Sequence, residues 1–122
     1  LAASGEDAAR AGEWTPAVDV YETPDRIVIA AEIAGVRRGD VSIEVEAETL
    51  TLRGRRPADR SGVAAESYRR MEVPSGAFER SFRLPYAVTE DRVEAVLRDG
   101  VLTVTIPRHP PSRGRRIAVE TG

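Results

Sequence analysis

From Trp14 to Pro107 the chain alternates apolar and polar residues with a period of two, in short runs cut by glycine and proline. Alternate side chains of an extended segment project to opposite faces, so runs of this kind make half-buried strands rather than helices. Val18 and Val20 stand opposite Ala17, Asp19 and Tyr21, and Ile27, Ile29, Ala31 and Ile33 share one face of Arg26–Ile33. Val41, Ile43 and Val45 alternate with Ser42 and Glu44, and Leu50 and Leu52 alternate with threonines across Thr49–Arg53. Tyr68–Val73 has strand character, and Phe78, Arg80, Phe82 and Leu84 share a face. Arg92–Arg98 reads as a strand, and Leu102, Val104 and Ile106 line one side of Val101–Ile106. Thr23-Pro24-Asp25, Pro74-Ser75-Gly76 and Asp99-Gly100 read as turns. Proline presets φ there, aspartate bonds nearby backbone, and glycine supplies the positive φ of a tight hairpin. About eight short strands so punctuated predict an all-β fold, an antiparallel immunoglobulin-like β-sandwich.

Outside the alternation lie three stretches. Residues 1–13 are Ala-rich and polar, too short for a persistent helix, and are read as an N-terminal arm, truncated or disordered. Residues 14–107 form the sandwich, within which 54–67 lose the pattern, a long stretch for a mere connection. Residues 108–122 are a Pro- and Arg-rich C-terminal extension that ends with one apolar pair, Ile117 and Val119.

Composition removes whole classes of function. The 122 residues include no cysteine, which excludes disulfides, thiolate nucleophiles and cysteine-ligated zinc. All 18 basic residues are arginine, so there is no phosphate-loop lysine and no Schiff-base chemistry. His109 is the one histidine and sits in a Pro-rich stretch, where it reads as a solvated loop residue. There is no glycine-rich phosphate loop, no G-x-S-x-G, and no histidine placed to serve a serine. Glu44 and Glu46 share a strand face, where carboxylates are solvated rather than catalytic. No catalytic residue, cofactor or metal is therefore expected. Net charge is -2 with both signs interspersed, which argues against nucleic acid. No apolar run matches a membrane span and no signal peptide opens the chain, so a cytoplasmic protein is expected.

Four segments, in order and at compatible spacing, resemble the small heat-shock protein family. Ala95-Val96-Leu97-Arg98-Asp99-Gly100-Val101-Leu102 is similar to its A-x-x-x-(N/D)-G-V-L signature. Gly76-Ala77-Phe78-Glu79-Arg80-Ser81-Phe82-Arg83-Leu84-Pro85 resembles its G-x-F-x-R-x-F-x-L-P segment. Trp14-Thr15-Pro16-Ala17-Val18-Asp19-Val20 resembles its opening strand, and Ala34-Gly35-Val36 with Asp40-Val41 resembles a later loop. The resemblance implies an α-crystallin domain of the bacterial and plant type, acting as an ATP-independent holdase for unfolding proteins.

It also implies where the chain touches others. A dimerisation loop, 54–76, would carry Tyr68, Arg69, Arg70, Met71, Glu72 and Val73 across to a second copy. There the segment would pair with Pro16–Val20, giving a closed two-fold dimer whose interface includes Trp14, Pro16, Val18, Val20 and Arg80. Arg80 would face a carboxylate, with Glu72 one choice among several. Ile117-Ala118-Val119 resembles the family's I-x-I/V tail motif. It would dock on a neighbouring dimer, in a groove lined by Val41, Ile43, Val45, Val93, Ala95 and Leu97, which would also take clients. The implied partners are thus the chain itself, as a dimer and through the tail in larger oligomers, and unfolding proteins. Family arms are longer and richer in large apolar residues than 1–13. A co-chaperone or adaptor with the same sandwich and no holdase activity stays open; such adaptors lack both the long loop and the tail motif.

Overall fold

The computed structural model describes residues 9–58, 62–108 and 117–122. Its strands are β1 (Ala9–Gly12), β2 (Val18–Glu22), β3 (Arg26–Glu32), β4 (Val41–Glu46), β5 (Thr49–Arg56), β6 (Gly76–Arg83), β7 (Glu94–Arg98) and β8 (Val101–Pro107). They form two antiparallel sheets, ordered β1-β6-β5-β4 and β2-β3-β8-β7. This is the all-β architecture that the alternation predicts.

The periodic residues meet between the sheets. Ile27, Ile29, Ala31 and Ile33 face Leu50, Leu52, Phe78, Phe82 and Leu84, with Leu102, Val104 and Ile106 beside them, all buried. Each such side chain contributes about 1.5–3 kcal/mol on burial. The sheet interiors carry this load. The edge strands supply half-buried residues instead: Val18 and Val20 from β2, Val41, Ile43 and Val45 from β4, and Leu97 from β7. The β7–β8 hairpin turns through Asp99 (φ 52°) and Gly100 (φ 77°), both left-handed as a tight two-residue turn requires. In β5, Gly54 pairs with Phe78, whose ring occupies the space a Cβ at Gly54 would need.

The structure departs from the sequence expectations in four places. Ala9–Gly12 is a strand paired with the edge of β6, from Ala9↔Ser81 to Gly12↔Phe78, not a loose arm. Alanine and glycine give no alternation to read; backbone pairing holds the segment, reinforced by Glu13 and Trp14 N–H groups that both donate to Ala77 O. β5 continues to Arg56, three residues past the apparent end of its pattern. β7 begins at Glu94 because Glu90–Arg92 is a 3₁₀ turn, closed by Arg92 N–H to Thr89 O at 3.0 Å. Tyr68–Val73 joins neither sheet; it follows a 3₁₀ turn at Ala65–Ser67 and lies largely exposed. A strand exists only beside a partner edge, and this segment pairs with none of the described strands.

Candidate functional site

The surfaces singled out by sequence lie at strand edges. β2 ends its sheet, paired with β3 alone. Glu32 N–H donates to Ala17 O, and Val18 is opposite Ala31, so the ladder to β3 uses residues 17, 19 and 21. The backbone groups of Val18, Val20 and Glu22 therefore point away from β3, along an open edge. Val18 and Val20 turn their side chains inward and stay half-buried, while Asp19 and Tyr21 are exposed.

Trp14 and Pro16 anchor the segment that leads into this edge. Trp14 Nε1 donates to Gly76 O at 2.8 Å, and its ring meets Phe78 edge-on at 5.3 Å. Pro16 is fully buried, and its carbonyl accepts from Arg80 Nη1 at 2.9 Å. Arg80 is 7% exposed and lies over the Phe82 ring, with Cζ 5.3 Å from the centroid. These three residues thus act through the strand they hold. Arg69, Arg70, Met71, Glu72 and Val73 lie together on the exposed loop, with Tyr68 half-buried at its start. Arg70 and Glu72 form an exposed pair at 3.9 Å. Met71 and Val73 leave large apolar side chains in solvent.

Arg56 carries no distinguishing sequence signal and is central here. Its Nε and Nη2 donate to Pro74 O at 2.9 and 2.6 Å, its Nη1 donates to Ala34 O at 3.2 Å, and its Cζ lies 3.9 Å from the Trp14 ring centroid. One guanidinium so ties together the two stems of the long loop, the β3–β4 connection and the entry to β2. Two adjacent arginines in a polar stretch offer nothing that would separate this role from a solvated charge.

The second surface is a groove of about 470 Å³ between β4 and β7, one outer strand of each sheet. Val41, Ile43, Ala95 and Leu97, four of the six residues that the resemblance implies for the groove, line it, joined by Arg38, Val96 and Leu102. Val45 and Val93 are half-buried against the core, outside this lining. Val96 lies on the opposite face of β7 from Leu97, and its strand parity gives no reason to include it; at an outermost strand both faces reach the rim. Ile117 and Val119 are 81% and 93% exposed, so the tail motif stands free of its own sandwich.

Among the described residues no group of three or more His, Cys, Asp or Glu could hold a metal ion. Among them, too, no helix is long and apolar enough to cross a membrane. On the outer face of the first sheet Arg53 lies between Glu44 and Glu79, which hold its guanidinium charged to higher pH than usual, a solvated ion triad.

Comparison with known proteins agrees with the geometry. Residues 19–120 match the Hsp20/alpha crystallin family. The 21.9 kDa heat shock protein of Oryza sativa subsp. japonica is 42% identical over 93% of this chain, which spans 58% of that protein's length. Heat shock protein 16 of Schizosaccharomyces pombe is 32% identical over 86% of this chain and 74% of its own. Among solved structures, a small heat-shock protein from Xylella fastidiosa superposes with a TM-score of 0.76 at 31% identity, covering 89% of this chain and 99% of that one. Heat shock protein 16.0 from Schizosaccharomyces pombe gives 0.74 at 32% identity, covering 88% and 77%. An open β2 edge, a groove between the outer strands and a sandwich shared with these proteins have one common reading: the chain belongs to the Hsp20/alpha crystallin family of small heat-shock proteins.

Proposed function

We propose that this chain is an ATP-independent holdase that binds unfolding proteins and keeps them from aggregating. The observation that carries the reading is the β4–β7 groove: apolar, open to solvent, and matched by an exposed Ile117–Val119 segment that leaves its own groove empty. Residues two apart in an extended segment project the same way, so Ile117 and Val119 of another copy enter the groove together. Two branched side chains contribute about 1.5–3 kcal/mol each, and after ordering costs a single tail binds at roughly millimolar strength. Several tails acting together hold an assembly, yet each one dissociates readily. Warming unfolds a client and exposes its apolar segments, which compete by mass action with the weakly held tails for the same groove.

The dimer in this reading forms by exchange. Tyr68–Val73 of one copy adds to the open β2 edge of the other at Pro16–Val20, with Arg69 and Arg70 bringing positive charge toward Asp19. Exchange pairs an edge that is otherwise a template for aggregation. The crystal structure of the Xylella fastidiosa protein reveals a distinct high order structure. We place this chain in a higher-order assembly built from dimers, acting in the cytoplasm without nucleotide, nucleic acid or membrane. Light scattering from a heat-unfolded substrate, with no ATP present, tests the reading. We expect suppression that grows with the molar ratio of this chain to substrate; aggregation unchanged across a wide range of ratios contradicts it.

A further inference from the structure

Where β8 stops, at one end of the sandwich, sits a cluster that neither surface uses. Arg108, the first residue past β8, donates its backbone N–H to Asp25 O at 2.9 Å. Its Nη1 lies 2.9 Å from Glu22 Oε1 and 3.4 Å from Thr23 O. The Tyr86 hydroxyl donates to Pro107 O at 2.7 Å. Burial, and then the nearby Glu22 charge, raise the Tyr86 hydroxyl above the usual tyrosine range, which keeps it a donor. Glu22 is the last residue of β2 and its side chain is only 16% exposed. Its second oxygen, Oε2, is buried with no hydrogen-bond partner among the described residues.

Strand parity explains the cluster. Glu22 continues the face of Val18 and Val20, and Arg108 continues that of Leu102, Val104 and Ile106, so both turn into the open end between the sheets. A carboxylate so enclosed is costly without its guanidinium. The contact therefore holds the chain in place beyond the point where the sheet ends.

We infer that Glu22, Tyr86 and Arg108 form a lock that fixes where and in which direction the C-terminal extension leaves the sandwich, making them positioning residues for docking of Ile117 and Val119. The inference rests on the tail reading above. Nine peptide steps separate Arg108 from Ile117, a reach of at most about 30 Å from a fixed origin. A fixed origin concentrates the motif on the grooves within that reach; a free one spreads it over more and lowers its effective concentration at each. Because Glu22 ends the strand that offers its edge for exchange, the lock also holds tail origin and exchange edge as one piece.

Glu22→Gln in the full chain keeps the shape and removes the charge. Limited trypsin digestion, read by mass spectrometry, reports directly on the bond after Arg108. We expect cleavage there to rise about tenfold, since loss of a charge-assisted contact enlarges the locally open population that the protease sees. Cleavage at Arg53 and Arg98, inside the sheets, stays at the wild-type rate, and native mass spectrometry shows a broader spread of assembly sizes. Tyr86→Phe, which leaves every charge in place, gives a smaller rise at the same bond. An unchanged rate after Arg108 overturns the lock. So does a rise at all three arginines, which reports a loosened sandwich, and so does faster local cleavage with an unchanged spread of sizes, which removes the positioning role. If cleavage and spread both respond to Glu22→Gln but Ile117→Ala with Val119→Ala leaves the assembly mass unchanged, the lock stands and the tail reading falls.

Discussion

Arg53 and Arg56 sit three residues apart on one strand and do different things. Arg53 reaches Glu44 and Glu79 across the outer face, in solvent, where screening and side-chain entropy leave such pairs little net value. Arg56 satisfies two backbone carbonyls and stacks on a buried indole. A planar fork is what that geometry uses, and a lysine ammonium cannot reproduce it. Arg56→Ala should cost about 2–3 kcal/mol, summing a cation–π contact and hydrogen bonds to Pro74 and Ala34; urea denaturation checks it. Arg56→Lys should recover less than half of that loss. None of this is legible in the sequence. Gly54 and Arg56 read as the start of a polar loop, because the ring that demands the glycine and the carbonyls that engage the arginine lie far along the chain at Phe78 and Pro74.

Strands are legible where one face is buried. Ile27–Ile33, Leu50–Leu52, Phe78–Leu84 and Leu102–Ile106 each follow from alternation and each line the core, because burial of one face imposes the period. β1 escapes the pattern because Ala9–Gly12 offers no run of alternating large apolar residues to read, while its backbone pairs with β6 from Ala9↔Ser81 to Gly12↔Phe78. Tyr68–Val73 shows the opposite failure, a strand-like pattern without a strand. On the exchange reading its partner edge belongs to another molecule, so the pattern records a pairing that one chain cannot make. Deleting residues 60–73 should therefore give monomers with the sandwich intact, seen as a fall to the mass of a single chain in light scattering beside an unchanged β-type circular dichroism spectrum. A surviving dimer removes strand exchange from the account. The groove is half legible, since the resemblance implies Val41, Ile43, Ala95 and Leu97 as lining while Val96 and Arg38 depend on how two edge strands sit side by side. Ile117→Ala with Val119→Ala should shrink any assembly toward a dimer by light scattering, because about 3–6 kcal/mol of gross apolar burial is lost at each docked tail; unchanged mass contradicts that role.

For the molecule as a whole, everything turns on edges that stay open. A β-sandwich of this size protects its core with interior strands and leaves β1, β2, β4 and β7 as outer strands, and outer strands attract other chains. On the proposed reading this hazard is turned to use: one edge takes an exchanged strand, and one groove takes a tail or a client in turn. The central claim is that tail and client compete for the same place. A cysteine-free chain makes this directly measurable, since Ile43→Cys carries a photo-crosslinker at one defined spot in the groove. Illuminated at rest, the label should capture residues 117–119 of a second copy. Illuminated after heating with an unfolding substrate, it should capture the substrate, with tail adducts falling as substrate adducts rise. Substrate held in solution while the label at position 43 stays bound to the tail, or binds neither, would contradict the account.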